Sequence, residues 1–225
     1  MQAGFQVLKR RSAVSLDWVE KFRSIPVANI SDSMSRLSAA GPTLRPMHAG
    51  GVLCGPALTV KTCPGDNLLT HMALNMAVEG DVIVVDANGE LTNAIIGERM
   101  LAYCIAKKFA GIVINGAVRD SGWIRQHDFP VYAVGVTHGG PYKNGPGEIN
   151  VPIAVGGMVV TPGDLIVGDD DGLVCVPQAQ VAAIHAKAAA KFKQETDTFA
   201  AIGQGDNHAA SYRAKLEKLG CFFEE

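Results

Sequence analysis

Two short runs constrain this chain more than anything else in it: VIVVD at 82–86 and GIVIN at 111–115. Each is apolar and rich in β-branched residues without polar alternation, the pattern of a strand buried on both faces in a parallel sheet. Between them, GERMLAYCIAKKF (97–109) sets Met100, Leu101, Cys104 and Ile105 on one stripe, the spacing of an amphipathic helix. Such a strand–helix–strand unit is expected to cross over right-handed, bringing the loops after both strands to the same carboxyl edge of the sheet. Open α/β folds hold their ligands at that edge. The two loops carry Gly97-Glu98 and Gly116-Ala117-Val118-Arg119-Asp120, and function is to be sought there.

The flanking sequence fits the same class. Residues 15–40 predict two short helices separated at Pro26, the second opening at Ser31 or Asp32, either of which can cap its first turn. A strand-like run follows Gly51, and Pro64-Gly65-Asp66-Asn67 supplies a turn and a cap for a helix over 68–78. ANGELTNA (87–94) reads as a loop, 121–128 as a short helix and 130–136 as a strand. The glycine- and proline-rich stretch 137–148 is a loop long enough to need a reason; its glycines serve either a tight connector or a close approach to a ligand or a neighbouring chain. MVV (158–160), DLIVGD (164–169) and GLVCV (172–176) close the sheet as short strands, with turns at Pro162-Gly163 and Asp170-Asp171-Gly172. Beyond Gln178 the chain reads as helix, interrupted at 203–207, with Val181, Ile184, Ala188 and Phe192 spaced to pack on the body or on a neighbouring subunit. The expectation is one α/β domain, made of a helical lead-in (1–40), an α/β body (41–177) and a helical extension (178–225).

Composition removes several classes of function. Twenty lysines and arginines nearly cancel 22 aspartates and glutamates, so no general pull toward nucleic acid or anionic membrane is expected. No apolar run reaches the roughly 18–20 residues that cross a bilayer, and the N-terminal residues lack a signal-peptide core, which predicts a cytoplasmic address. The five cysteines are scattered without a CxxC pair, and the six histidines show neither HxH nor HExxH spacing. Reduced, mostly buried thiols are therefore expected, with no disulfide framework and no histidine-rich metal site.

Arg119-Asp120 has two readings. Both residues can be solvated loop positions, with Asp120 capping a helix that begins near Ser121. Alternatively, the Arg119 guanidinium grips a substrate carboxylate through paired charge-assisted hydrogen bonds, and Asp120 holds a hard divalent cation. Glu98 can simply offset the positive end of a helix dipole. In the functional reading, the free amides of Gly97, Glu98, Arg99 and Met100 hold an anionic or enolate oxygen while the Glu98 carboxylate orients a metal-bound water. Asp169-Asp170-Asp171-Gly172 lacks the spacing of a calcium loop and reads as a hairpin turn. His71 and His138 are expected as ordinary, partly buried histidines.

The combination of Gly-Glu, twenty intervening residues (99–118) and Arg-Asp, with GIVINGAVRD, GPYKNGPGEINVPIAVGG and PGDLIVGDDDGLVCVP, resembles the RraA-like family over about residues 25–180. That family includes metal-dependent 4-hydroxy-4-methyl-2-oxoglutarate aldolases. The resemblance implies a compact α/β/β fold related to the swivelling phosphohistidine-type domain, assembled as homotrimers or homohexamers with active sites near subunit interfaces. It implies magnesium or manganese. By position, Arg119 falls on the family's substrate-binding arginine, Asp120 on its metal-binding aspartate, and Gly97 to Met100 on the loop whose amides bind substrate. Glu98 stands where the best-known aldolases carry aspartate.

The implied reaction begins with a small 2-oxo acid gripped by Arg119 and held at the cation through its carboxylate and ketone oxygens. A carbon–carbon bond then breaks to leave a stabilised pyruvate enolate. Oxaloacetate presents the same head, so decarboxylation is an expected companion activity. The family also contains ribonuclease-binding inhibitors, which makes a protein-interaction regulator the competing reading. A methyl-donor role lacks the glycine-rich nucleotide loop it would need.

Overall fold

The computed structural model describes residues 3–203 and 209–224. The interruption expected at 203–207 falls mostly outside them. In chain order the elements are β1 (Gln6–Val7), α1 (Leu16–Phe22), α2 (Val27–Ser33), β2 (Arg45–Pro46), β3 (Leu53–Thr62), α3 (Leu68–Met76), β4 (Val82–Ile96), α4 (Glu98–Ala106), β5 (Gly111–Val118), α5 (Ser121–Ile124) and β6 (Val131–Val136). Five short strands follow: β7 (Gly147–Ile149), β8 (Ile153–Val155), β9 (Met158–Val160), β10 (Leu165–Asp169) and β11 (Gly172–Val176). Helices α6 (Val181–Gly203) and α7 (Ala209–Lys218) end the chain.

The two β-branched runs form the centre of the sheet, as their lack of polar alternation predicts. β3, β4, β5 and β6 are parallel neighbours, with Ile83 opposite Ile112 and Val85 opposite Ile114. Short strands extend this centre to the order β1-β7-β3-β4-β5-β6-β2, and β10 pairs antiparallel with the first half of β3. Successive residues of β4 face opposite sides. Ile83 and Val85 pack under the helices with Leu69 and Ala73 of α3 and Leu101 and Cys104 of α4. Val82 and Val84 pack on a second β layer with Ile153, Val155, Met158, Val160, Ile166 and Leu173. Helices, central sheet and second β layer make up the expected α/β/β arrangement.

A third cluster joins the two ends of the chain. Val19 and Phe22 of α1, Val27 and Ile30 of α2, and Val181, Ile184 and Ala188 of α6 bury together against Val167 and Val174 of the β10–β11 hairpin. Helix α6 therefore packs on the body of its own chain. No helix among the described residues is long and apolar enough to cross a membrane.

Several local expectations are corrected. α2 begins at Val27, directly after Pro26, and not at Ser31 or Asp32, which lie in its last turn. Its first amide is capped from across the fold, the Asp169 carboxylate accepting the Val27 N–H at 2.8 Å. The lead-in contains a strand, β1, parallel to β7. ANGELTNA belongs to β4, whose pairing with β5 shifts register between Asp86 and Glu90 and again before Ala94 and Ile96. Ile105 stands 37% exposed on the flank of α4, outside the buried stripe of Leu101 and Cys104. α4 stops at Ala106 and α5 at Ile124, short of the expected ends at 109 and 128.

Candidate active site

Because β4 and β5 run parallel, Gly97 at the end of one and Arg119 at the end of the other emerge at the same sheet edge. The Arg119 N–H donates to the Ile96 carbonyl at 3.0 Å, holding the two chain ends together. Asp120 then takes a left-handed backbone, φ 59°. It does not cap α5: its carboxylate turns back and accepts the Glu98 N–H through Oδ2 at 3.0 Å. The capping reading of Asp120 is thereby replaced by a link between the two loops. Arg119 Nε lies 3.7 Å from the same Oδ2, and both side chains keep over a third of their surface open, 42% and 35%. Exposure of that size leaves each free to meet a ligand.

Gly97 is required here for space. A Cβ on it would run into the Asp120 carboxylate and stand 2.8 Å from Arg119 Cγ. The expectation that all four amides from Gly97 to Met100 point outward is corrected by the same geometry. Glu98 N–H is taken by Asp120, and Met100 N–H donates to the Gly97 carbonyl at 3.1 Å. Gly97 and Arg99 keep amides without a protein acceptor among the described residues. Two N–H groups at a helix N-terminus suffice to hold one anionic oxygen.

Gly97, Glu98, Arg99, Met100, Arg119 and Asp120 all line one open cleft of about 500 Å³. Three cations border it, Arg99, Arg119 and Lys143, against two carboxylates, Glu98 and Asp120. The balance favours an anionic ligand.

The donor set can also be weighed for a cation. Asp120 Oδ1 takes no hydrogen bond among the described residues, and Glu98, an exposed residue, reaches the other oxygen of the same carboxylate with its backbone N–H. No group of three His, Cys, Asp or Glu side chains suited to a metal occurs among the described residues. One carboxylate with a second nearby, both hard oxygen donors, fits a magnesium- or manganese-type ion that keeps most of its waters; it does not fit a closed cage such as structural zinc demands.

Sequence reasoning missed the helical wall of the cleft. Asn67, His71 and Asn75 all line it. Their spacing of four places them on one face of α3 while Leu69 and Ala73 face the core, and that polar stripe was the available signal. Asn67 does not cap α3 with its side chain. Its Nδ2 donates to the Ile95 carbonyl at 2.9 Å, and its buried Oδ1 has no partner among the described residues. His71, half-buried, is held below the ordinary histidine pKa first by burial and then by the charges of Lys143 and Arg99, which disfavours its protonated ring. His138 is exposed and lines no part of the cleft. Lys143 and Pro141, from the long glycine-rich loop, also line the cleft.

Fold and site together define an α/β/β protein with a cleft, bordered by three cations and two carboxylates, at the carboxyl edge of its parallel strands. A sequence model of the RraA-like family, described as Aldolase/RraA, matches residues 27–175, and the chain belongs to that family. A Halalkalibacterium halodurans protein, named provisionally as a 4-hydroxy-4-methyl-2-oxoglutarate aldolase, is 40% identical over 208 residues, covering 92% of this chain and 98% of its own. Among solved structures, RraAS2 of Streptomyces coelicolor, described as an unusual member of the RNase ES inhibitor RraA family, superposes with a TM-score of 0.76 at 27% identity, covering 83% of this chain and 98% of that one. An uncharacterised protein of Pseudomonas syringae pv. tomato shares the fold, with a TM-score of 0.78 at 24% identity over 87% of this chain and 96% of its own.

Proposed function

We propose that this protein is a lyase that cleaves 4-hydroxy-4-methyl-2-oxoglutarate, or a related 4-hydroxy-2-oxo acid, to pyruvate and a second oxo acid. The observation that carries the reading is the meeting of Arg119, Asp120, Glu98 and the Gly97 and Arg99 amides in one cleft, although twenty residues separate the two loops. The name borne by the 40%-identical relative supports the same reaction.

In this reading the Arg119 guanidinium grips the 2-oxo acid carboxylate through two charge-assisted hydrogen bonds. The Gly97 and Arg99 N–H groups face an oxygen of the same head, where negative charge grows as the bond between carbons 3 and 4 breaks. The electron pair of that bond passes to carbon 3, giving an enolate. The hydroxyl on carbon 4 loses its proton to a water held by Glu98, and carbon 4 becomes a ketone. A proton from water then converts the enolate to pyruvate. Asp120, with Glu98 through water, would hold magnesium or manganese, which when bound supplies Lewis-acid stabilisation of the oxo-acid oxygens. Loss of carbon dioxide from oxaloacetate leaves the same enolate, so that reaction accompanies the first.

The test is pyruvate release from 4-hydroxy-4-methyl-2-oxoglutarate and from oxaloacetate, with magnesium or manganese and with chelator, in wild type and Arg119→Ala. Turnover at limiting substrate in the variant is expected to fall by roughly 10²–10³-fold, the cost of losing two charge-assisted hydrogen bonds to the carboxylate. Release that equals wild type in the variant removes Arg119 from the reaction. No release from either substrate in the wild type overturns the lyase reading, and binding to a ribonuclease is then measured.

A further inference from the structure

The cleft wall next to the start of α3 is the segment Gly139–Gly145, which carries Pro141 and Lys143 and has no regular structure of its own. It is nevertheless tied at every step. The Gly139 carbonyl accepts the Ala94 N–H at 2.8 Å, and the Gly140 carbonyl accepts Asn93 Nδ2 at 2.5 Å. Tyr142 N–H donates to the Gly65 carbonyl at 2.9 Å, and its own carbonyl accepts the Asn67 N–H at 3.0 Å. The next two amides, of Asn144 and Gly145, both end on Oδ2 of Asp66, at 2.5 and 2.9 Å.

Asp66 is 2% exposed, and its other oxygen accepts the Leu68 N–H at 2.8 Å, at the start of α3. One buried carboxylate thus joins the helix that presents Asn67 and His71 to the loop that presents Lys143. The same loop touches the anion grip: a Cβ on Gly140 would stand 3.7 Å from Arg119 Nη1. Lys143 itself lies between two tied residues, with its side chain lining the cleft on the His71 side.

We propose that Asp66 is a positioning residue for specificity: it pins the Pro141–Gly145 wall so that the Lys143 ammonium meets the acid group on carbon 4 of the substrate while Arg119 holds the other. The proposal rests on the lyase reading. A ligand with a single acid group, such as pyruvate, occupies the Arg119 end and does not reach Lys143. Asp66→Asn places an amide where three N–H donors converge, which replaces acceptance by donor–donor repulsion on one side and loosens the wall.

The experiment compares cleavage of 4-hydroxy-4-methyl-2-oxoglutarate with exchange of the pyruvate methyl protons into deuterated water, followed by NMR with magnesium present. In Asp66→Asn, KM for the diacid is expected to rise about tenfold, the value of one lost charge-assisted contact, while half-saturation by pyruvate in exchange moves less than about twofold. In Asp66→Asn combined with Lys143→Gln, KM is expected to be no higher than in Asp66→Asn alone, because the first change acts through the second residue. An unchanged KM, equal losses in both assays, or multiplied effects in the double variant overturns the proposal. Should thermal melting show Asp66→Asn unfolded, Lys143→Gln alone decides: a larger effect on the diacid than on pyruvate upholds it, and equal effects overturn it. A wild type that neither cleaves nor exchanges overturns the lyase reading and this proposal together.

Discussion

At the scale of single residues, Gly97 controls the site by having no side chain. Its backbone is extended, φ −149°, so no conformational strain bars a substitution; only the space it leaves for Asp120 and Arg119 does. Gly97→Ala is therefore expected to displace both side chains, lowering turnover at least about tenfold while changing stability by no more than roughly 1–2 kcal/mol, since half-exposed neighbours can yield. Turnover measured beside a thermal melt checks this, and a normal rate would mean that Arg119 and Asp120 do not need their present positions. The motif residues Arg119, Asp120 and Glu98 could be singled out in the sequence because the loops that carry them follow two parallel strands to one sheet edge, although each residue taken alone also had a plain structural reading. What could not be seen was the engagement of the Asp120 carboxylate by the Glu98 amide, because it depends on a left-handed backbone at Asp120 and on contact between residues 22 positions apart.

At the scale of elements, helices were more legible than their ends. The apolar spacing of α4 and α6 marks them from sequence, whereas α2 starts where Pro26 allows and where Asp169, 142 residues away in the chain, supplies an acceptor for its first amide. The polar link between α2 and α6 is likewise distant: Lys191 pairs with Asp32, and Asn29 Nδ2 donates to Glu195 at 2.6 Å. Hydrogen bonds from Lys191 and then Arg36 hold the Asp32 carboxyl below its usual range. Because the folded value is the lower one, the unfolded chain holds more protons between the two values. The contribution is therefore complete above about pH 4 and lost as pH falls through the folded value. Thermal melts from about pH 6 to pH 2.5 are expected to show the gap between wild type and Asp32→Asn closing toward acid; a constant gap would mean that the pair contributes nothing through its charge.

At the scale of the whole molecule, the three buried clusters account for the state of the cysteines. Cys54 and Cys104 are pushed up to about 12 by burial, and Cys175 is raised by burial and by the neighbouring Asp164. Cys221 is exposed and Cys63 half-buried. A thiol reagent at about pH 8 is expected to label Cys221 first and Cys63 next, and the other three only after denaturant, since the thiolate is the reactive form. Early labelling of Cys104 would mean that α4 does not stay packed on the sheet. The sequence by itself determined the parallel core and the α/β class, because β-branched runs without polar alternation are stable only when covered on both faces. It also determined the edge at which to look for chemistry, because parallel strands leave their following loops together. Tertiary structure alone decided which amides stay free and how Asp66 ties the glycine-rich loop against α3. Those are contacts between residues far apart in the chain, and neither local propensity nor periodicity carries information about which distant backbone group will arrive as a partner.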